Sequence, residues 1–202
     1  MASTAVVSPL ADPTPPAPRR PRLLLLGSAL GAAASALVVL TLLATYLGVR
    51  AGELSAGRTA LPEGVVLPLT PGNMGMVTLL MSGITMAWVV DALRKDDRPH
   101  AYLALGLTLL FGVAFVNSTV FLYQQLALPP TDGPVAGLLY ATTATHLVMV
   151  VVGMVFVAVM GFHALGGQLT GRDAEGMSAA ALYWYVQIAV FAAVWYGIYI
   201  TK

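Results

Sequence analysis

Five long apolar stretches, separated by short polar or proline-bearing connections, leave this chain almost no choice of solvent. The first runs from Leu23 to Val49, 27 residues without a charge until Arg50. A hydrocarbon core of about 30 Å needs about 20 helical residues to cross it, so this stretch spans with tilt to spare. The other four cover about 73–93, 101–128, 137–165 and 177–200. Backbone amides and carbonyls in lipid must pair within their own segment, and runs of this length do so as helices. The chain is therefore expected to be an all-α integral membrane protein, a bundle of five transmembrane helices occupying residues 23–202. Composition agrees: 58% of the 202 residues are hydrophobic and 9% charged, against about a quarter charged in soluble domains.

Residues 1–22 are rich in Pro, Ala and Ser and end in Arg19, Arg20 and Arg22. Such a composition buries no core, so a disordered tail is expected there. A cleaved secretory signal would place a shorter apolar stretch after its charges, which favours keeping the first segment as a helix. Thr70-Pro71 reads as a cap and first-turn proline for the second helix. Pro129-Pro130 reads as the stop of the third, and Gly166-Gly167 as the end of the fourth. Arg94-Lys95-Asp96-Asp97-Arg98-Pro99-His100 is too short for anything but an antiparallel hairpin. Loop charges set the orientation. Arg19, Arg20, Arg22, Arg94, Lys95, Arg98 and Arg172 fall on one side; Arg50, Arg58 and Lys202 fall on the other. That bias predicts a cytoplasmic amino terminus and an outside carboxyl terminus.

Several chemistries are excluded early. Ten Lys and Arg against nine Asp and Glu give a net charge of +1, which offers no basic face for nucleic acid. With no cysteine there is no disulfide, thiolate nucleophile, iron–sulfur ligation or thiolate copper centre. Three histidines remain. His146 and His163 are 17 residues apart, about 25 Å along a helix, and His100 lies in a loop, so they cannot share an ion. His146 is accordingly expected to be a neutral imidazole hydrogen-bonded between helices. No Asp, Glu, Lys or Arg lies well inside a span, which argues against an autonomous ion pathway. Asn117 and Gln187 are the deep amides, each expected to satisfy a neighbouring helix. Tyr183, Trp184, Trp195 and Tyr199 fit aromatic belts at the two ends of the fifth helix. In the first helix Gly27, Gly31 and Ser35 recur every fourth residue, a small-residue stripe that lets another helix approach.

The pattern of these residues says more than its members. The fourth segment carries Thr143-x-x-His146-x-x-Met149-x-x-x-Gly153, and the fifth carries Tyr183-Trp184-Tyr185 followed by Ile198-Tyr199, fourteen residues after Trp184. At these spacings the chain resembles subunit III of the haem–copper cytochrome c oxidases in its short bacterial form with five helices. That family shows Thr-Gly-x-His-x-x-His-x-x-x-Gly, then Tyr-Trp-His, then Ile-Tyr at the same offset. Ala44-Thr45-Tyr46-Leu47-Gly48-Val49-Arg50-Ala51 is also similar to its first-helix exit. The likeness covers roughly residues 24–202. The departures all remove ionisable groups. Met149 stands for the second histidine, Tyr185 for the histidine of Tyr-Trp-His, Ile188 for an acidic residue, and Ser35 for a buried Glu; the Gln and Glu common in the third helix are lost near Asn117 to Phe121. Losing a charge at a helix centre saves about 2.5–3.5 kcal/mol of transfer cost, so a scaffold can outlive its polar machinery.

What the resemblance implies is a noncatalytic, divergent subunit III-like component of a respiratory terminal oxidase in a bacterial plasma membrane, supporting aerobic electron transport. Such a chain binds no cofactor itself. Haem and copper sit in partner subunits, subunit I and subunit II are the neighbours, a larger supercomplex is an option, and phospholipid is held in a cleft. His146, Trp184, Tyr183, Gly153 and Gly31 are the residues expected to shape the bundle and its lipid or partner contacts. Alternatives left open are an accessory subunit of a nitric oxide reductase or quinol oxidase, and a stand-alone transporter or sensor; the last would call for inverted repeats and broken helices, which the sequence does not display.

Overall fold

The computed structural model describes residues 22–62, 64–126, 128–167 and 175–201. The amino-terminal segment 1–21, for which a disordered tail is expected, lies outside them, as do Arg172 and Lys202 of the charge comparison. The described residues form α1 (Leu23–Ser55), α2 (Leu69–Arg94), α3 (Arg98–Gln125), α4 (Pro134–Leu165) and α5 (Glu175–Trp195), the last running on into a π-helical turn, Tyr196–Ile200. All five are long and apolar enough to cross a membrane, and there is no strand among the described residues.

Helix α5 is the axis of the bundle. It packs on α1, α2 and α4, while α3 bridges α2 and α4 and α1 also touches α4. Helices α1 and α2 share no comparable interface, which leaves a seam along α5 between them. The charged turn between α2 and α3 makes the tight hairpin that its length dictates. The N–H of Asp97 bonds the carbonyl of Ala92 at 2.9 Å and that of Asp96 bonds Leu93 at 3.1 Å, the paired closure of a Schellman motif. Asp96 takes the left-handed conformation there, φ 55°, which Asp tolerates better than most side chains. Asp97 then caps α3: its carboxylate accepts from the backbone N–H of His100 and from the His100 ring at 2.8 Å. That ring hydrogen bond, above all, holds the Asp97 carboxyl below the usual carboxylate range.

Helix ends depart from the sequence expectation in both directions, for one reason. Apolar runs report where hydrocarbon ends, whereas a helix ends where its backbone is capped or strained. Thus α1 continues six residues past Val49, carrying Arg50 and Glu53 into the polar zone, until Gly57 turns with φ 72°. Helix α2 opens at Leu69 on an extended Pro68 with no side-chain cap, so Thr70 is not the N-cap; Thr70 and Pro71 already lie within the first turn. Helix α3 ends at Gln125, before the prolines, because Leu126 is extended and buries its side chain; nearby, the Leu128 carbonyl accepts from Tyr140 at 2.9 Å. Helix α4 begins at Pro134, directly after Gly133, whose φ of 105° only glycine adopts without strain. Its other end, Gly166-Gly167, is as the sequence implies.

Candidate functional site

Buried polar groups of α1, α2 and α4 converge on α5. Trp184 is 1% exposed and donates its indole N–H to Ser82 Oγ of α2 at 3.0 Å. Three residues on, Gln187 donates its amide to Ser35 Oγ of α1 at 2.7 Å, and its backbone carbonyl accepts from His146 Nε2 of α4 at 3.1 Å. A carbonyl only accepts, so Nε2 carries the proton. The imidazole lies edge-on to Phe115, 5.6 Å between centroids, and stacks on Phe191 at 5.2 Å. Tyr183 reaches α4 as well, its hydroxyl donating to the Met149 carbonyl at 3.2 Å. Ser28 ties α1 to α5 by donating to Ala179 O at 2.6 Å. Residues 179–187 of α5 therefore address three other helices. A second polar contact, Thr85 to Thr108 at 2.8 Å, joins α2 to α3, and Tyr123 meets Thr143 at 2.9 Å between α3 and α4.

Close approach of the helices depends on missing side chains. A Cβ on Gly153 would lie 3.1 Å from both the Trp184 and Tyr183 rings, and one on Gly72 would lie 2.8 Å from the Tyr199 ring. Gly75 and Gly83 of α2 face Phe191 and Ile188 of α5 in the same manner. The π-helical turn matters here: its wider backbone brings Tyr199, 3% exposed, over Gly72.

Of the residues singled out from sequence, His146, Trp184, Tyr183 and Gly153 form this one contact region. Gly31 does not. It is exposed, with no atom near its Cβ position, and so is Gly27; only Ser35 of that stripe faces inward. Two expectations need correction. Asn117 lies on the outer face of α3 and satisfies no neighbouring helix, unlike Gln187. Tyr183, Trp184 and Tyr199 are buried inside the bundle rather than set in interfacial belts, because α5 has other helices on most of its surface. Trp195, partly exposed, donates to Asn73 Oδ1 at 2.9 Å. Sequence reasoning passed over Ser82, the Thr85–Thr108 pair and the α2 glycines. The available signal was the recurrence Gly72, Gly75, Leu79, Ser82, Gly83 on one face of α2.

Chemically, this region can bind helices to one another. Among the described residues no three His, Asp or Glu side chains come together as a metal ligand set, and the Nε2 of His146 is committed to a carbonyl. Among the described residues, Gln187 Oε1 is buried with no hydrogen-bond partner. Separately, where α1 and α2 diverge at the hairpin end, a groove of about 380 Å³ opens between Leu25, Val90, Arg94, Leu182 and Tyr185.

The fold and its interior define a polytopic helical membrane protein whose polar side chains join spans instead of lining a conduit. The sequence matches the family cytochrome c oxidase subunit III over residues 24–202, and the chain belongs to that family. It is 32% identical over 124 residues to the probable cytochrome c oxidase subunit 3 of Rickettsia conorii, covering 60% of this chain and 44% of that protein. It is 29% identical over 141 residues to cytochrome c oxidase subunit 3 of Loxodonta africana, and 28% identical over the same length to that of Bos taurus, covering 68% of this chain and 54% of each relative. The chain spans about half the length of the curated relatives it matches.

Proposed function

We propose that this chain is a noncatalytic subunit III-like component of a respiratory terminal oxidase, packed on a catalytic subunit that carries haem and copper. The observation that carries the reading is the match over nearly the whole bundle, joined to an interior where His146, Trp184 and Gln187 bond one helix to another. An oxidase of the cytochrome c type is favoured by the relatives, which are cytochrome c oxidase subunits 3. Subunits I and II are the proposed neighbours and a bacterial plasma membrane the proposed site, with the arginine-rich hairpin on the cytoplasmic side. Phospholipid is the proposed occupant of the groove between α1, α2 and α5. Leu25, Val90 and Leu182 suit acyl chains, and Arg94 suits a phosphate beside Asp91, whose charge is paired with Lys95.

The test is purification of the tagged chain from its native membrane under mild detergent. Co-elution with a haem-bearing subunit and oxygen-reducing activity is the expected result. A stable, haem-free chain recovered alone, with substrate flux in vesicles, would replace this reading with that of a transporter.

A further inference from the structure

The buried histidine has a second ring nitrogen that the helix contacts do not use. With Nε2 donating to Gln187 O, the neutral ring presents Nδ1 as a lone-pair acceptor. His146 also lines a cavity of about 10 Å³, walled by residues of α2, α3, α4 and α5 that are themselves buried. That volume is the room one water molecule occupies. Phe115 and Phe191 clamp the ring from its edge and its face, so it cannot turn to find another partner.

The remaining polar lining has a common character. Ser118 spends its hydroxyl proton on Pro71 O at 2.7 Å, Thr119 on Phe115 O at 3.1 Å, and Thr143 on Leu139 O at 2.8 Å. With the Thr143 proton committed, Tyr123 is the donor in the bond between them. The cavity therefore shows its occupant oxygen and nitrogen lone pairs from three hydroxyls and one imidazole. An apolar gas would leave these acceptors unmet, and a carbonyl or anion would repel them. A molecule with two hydrogens to donate and the volume of one oxygen atom suits them.

We propose that this cavity is a binding site for a single ordered water, donating one hydrogen to His146 Nδ1 and the other to a lining hydroxyl. It links His146 of α4 to the α2–α3 hairpin beside the direct Tyr123–Thr143 bond, and it holds His146 in the Nε2–H form. This goes beyond the oxidase reading and does not depend on it, since it concerns only the chain's own interior.

The test uses the full chain carrying His100→Gln and His163→Gln, both exposed positions, so that His146 is the only histidine. Labelled with ¹⁵N-histidine and placed in bilayers with deuterated acyl chains, it is read by solid-state NMR with magnetisation transferred from water. The site predicts one protonated and one unprotonated ring nitrogen at neutral pH, with transfer from water reaching the unprotonated nitrogen. Absence of transfer means a dry cavity and overturns the proposal, as does a protonated Nδ1. Because the measurement is made on this chain alone, failure of the oxidase assignment would leave its outcome unchanged.

Discussion

Helices α1 and α5 are both apolar membrane spans, yet they solve opposite problems. Of the most apolar eighteen residues of α5, 56% are buried in the bundle, and of those of α1, 22%. The buried helix carries Tyr183, Trp184 and Gln187, each donating a hydrogen bond to another helix. The exposed one shows Gly27, Gly31, Leu30 and Leu37 outward and keeps Ser28, Ser35 and Tyr46 inward. Lipid competes as well as Leu does for an apolar surface, so apolarity cannot say which face is inside. Polar and aromatic groups can, because each must find a partner away from water.

If α5 is the axis, changes along it should cost far more than changes on the outer face of α1. Trp184→Ala empties the largest buried side chain and removes the bond to Ser82; a loss of about 3–5 kcal/mol is expected, read by reversible unfolding in detergent micelles. Gly153→Leu forces a side chain against Trp184 and Tyr183 and should cost about 1–3 kcal/mol, with the same readout. Gln187→Leu sharpens the comparison. It deletes the unpartnered Oε1 while Ser35 still donates to Ala32 O at 2.8 Å, so the change should stay within about 1.5 kcal/mol. A loss as large as that of Trp184→Ala would mean the Gln187–Ser35 bond, and not ring packing, fixes α1 to α5.

Smaller effects belong to the periphery. The carboxyl of Asp97 is lowered by its bond from His100, so its contribution to the hairpin is complete above the ordinary carboxylate range and lost only as pH falls through the lowered value. In acid, the amide signals of Arg98–Ala101 should broaden only below the ordinary carboxylate range; acid broadening that sets in within that range would contradict the lowered value. Gly31→Leu should leave the chain's own unfolding unchanged, since nothing lies near that position. If an oxidase partner sits on α1, the same substitution should lower recovery of the complex, and undiminished recovery would place the partner elsewhere.

The number of spans, their antiparallel order and the hairpin were legible because hydropathy and loop length each have one physical solution in a bilayer. The ends were less so: α1 outlasts its apolar run by six residues because Arg50 and Glu53 are as helical in the headgroup zone as Leu is in the core. Within the site, His146 and Trp184 stood out as polar and aromatic groups at depth. The facing of a small-residue stripe did not. Gly27-Gly31 and Gly72-Gly75 look alike in sequence, yet the first pair is open and the second lies under Phe191 and Tyr199. The difference rests on which helices neighbour each face, a property of the whole bundle that no single segment encodes. The π-helical turn likewise has no local marker in Tyr196–Ile200.

The central claim is that this chain is an internally bonded buttress whose redox chemistry, if any, belongs to its neighbours. Native mass spectrometry of the detergent-extracted complex, with gas-phase release of single subunits, tests it most directly. The account predicts that this chain leaves the complex without haem, with or without bound phospholipid, while haem stays with another subunit. Release of this chain with haem attached would contradict it.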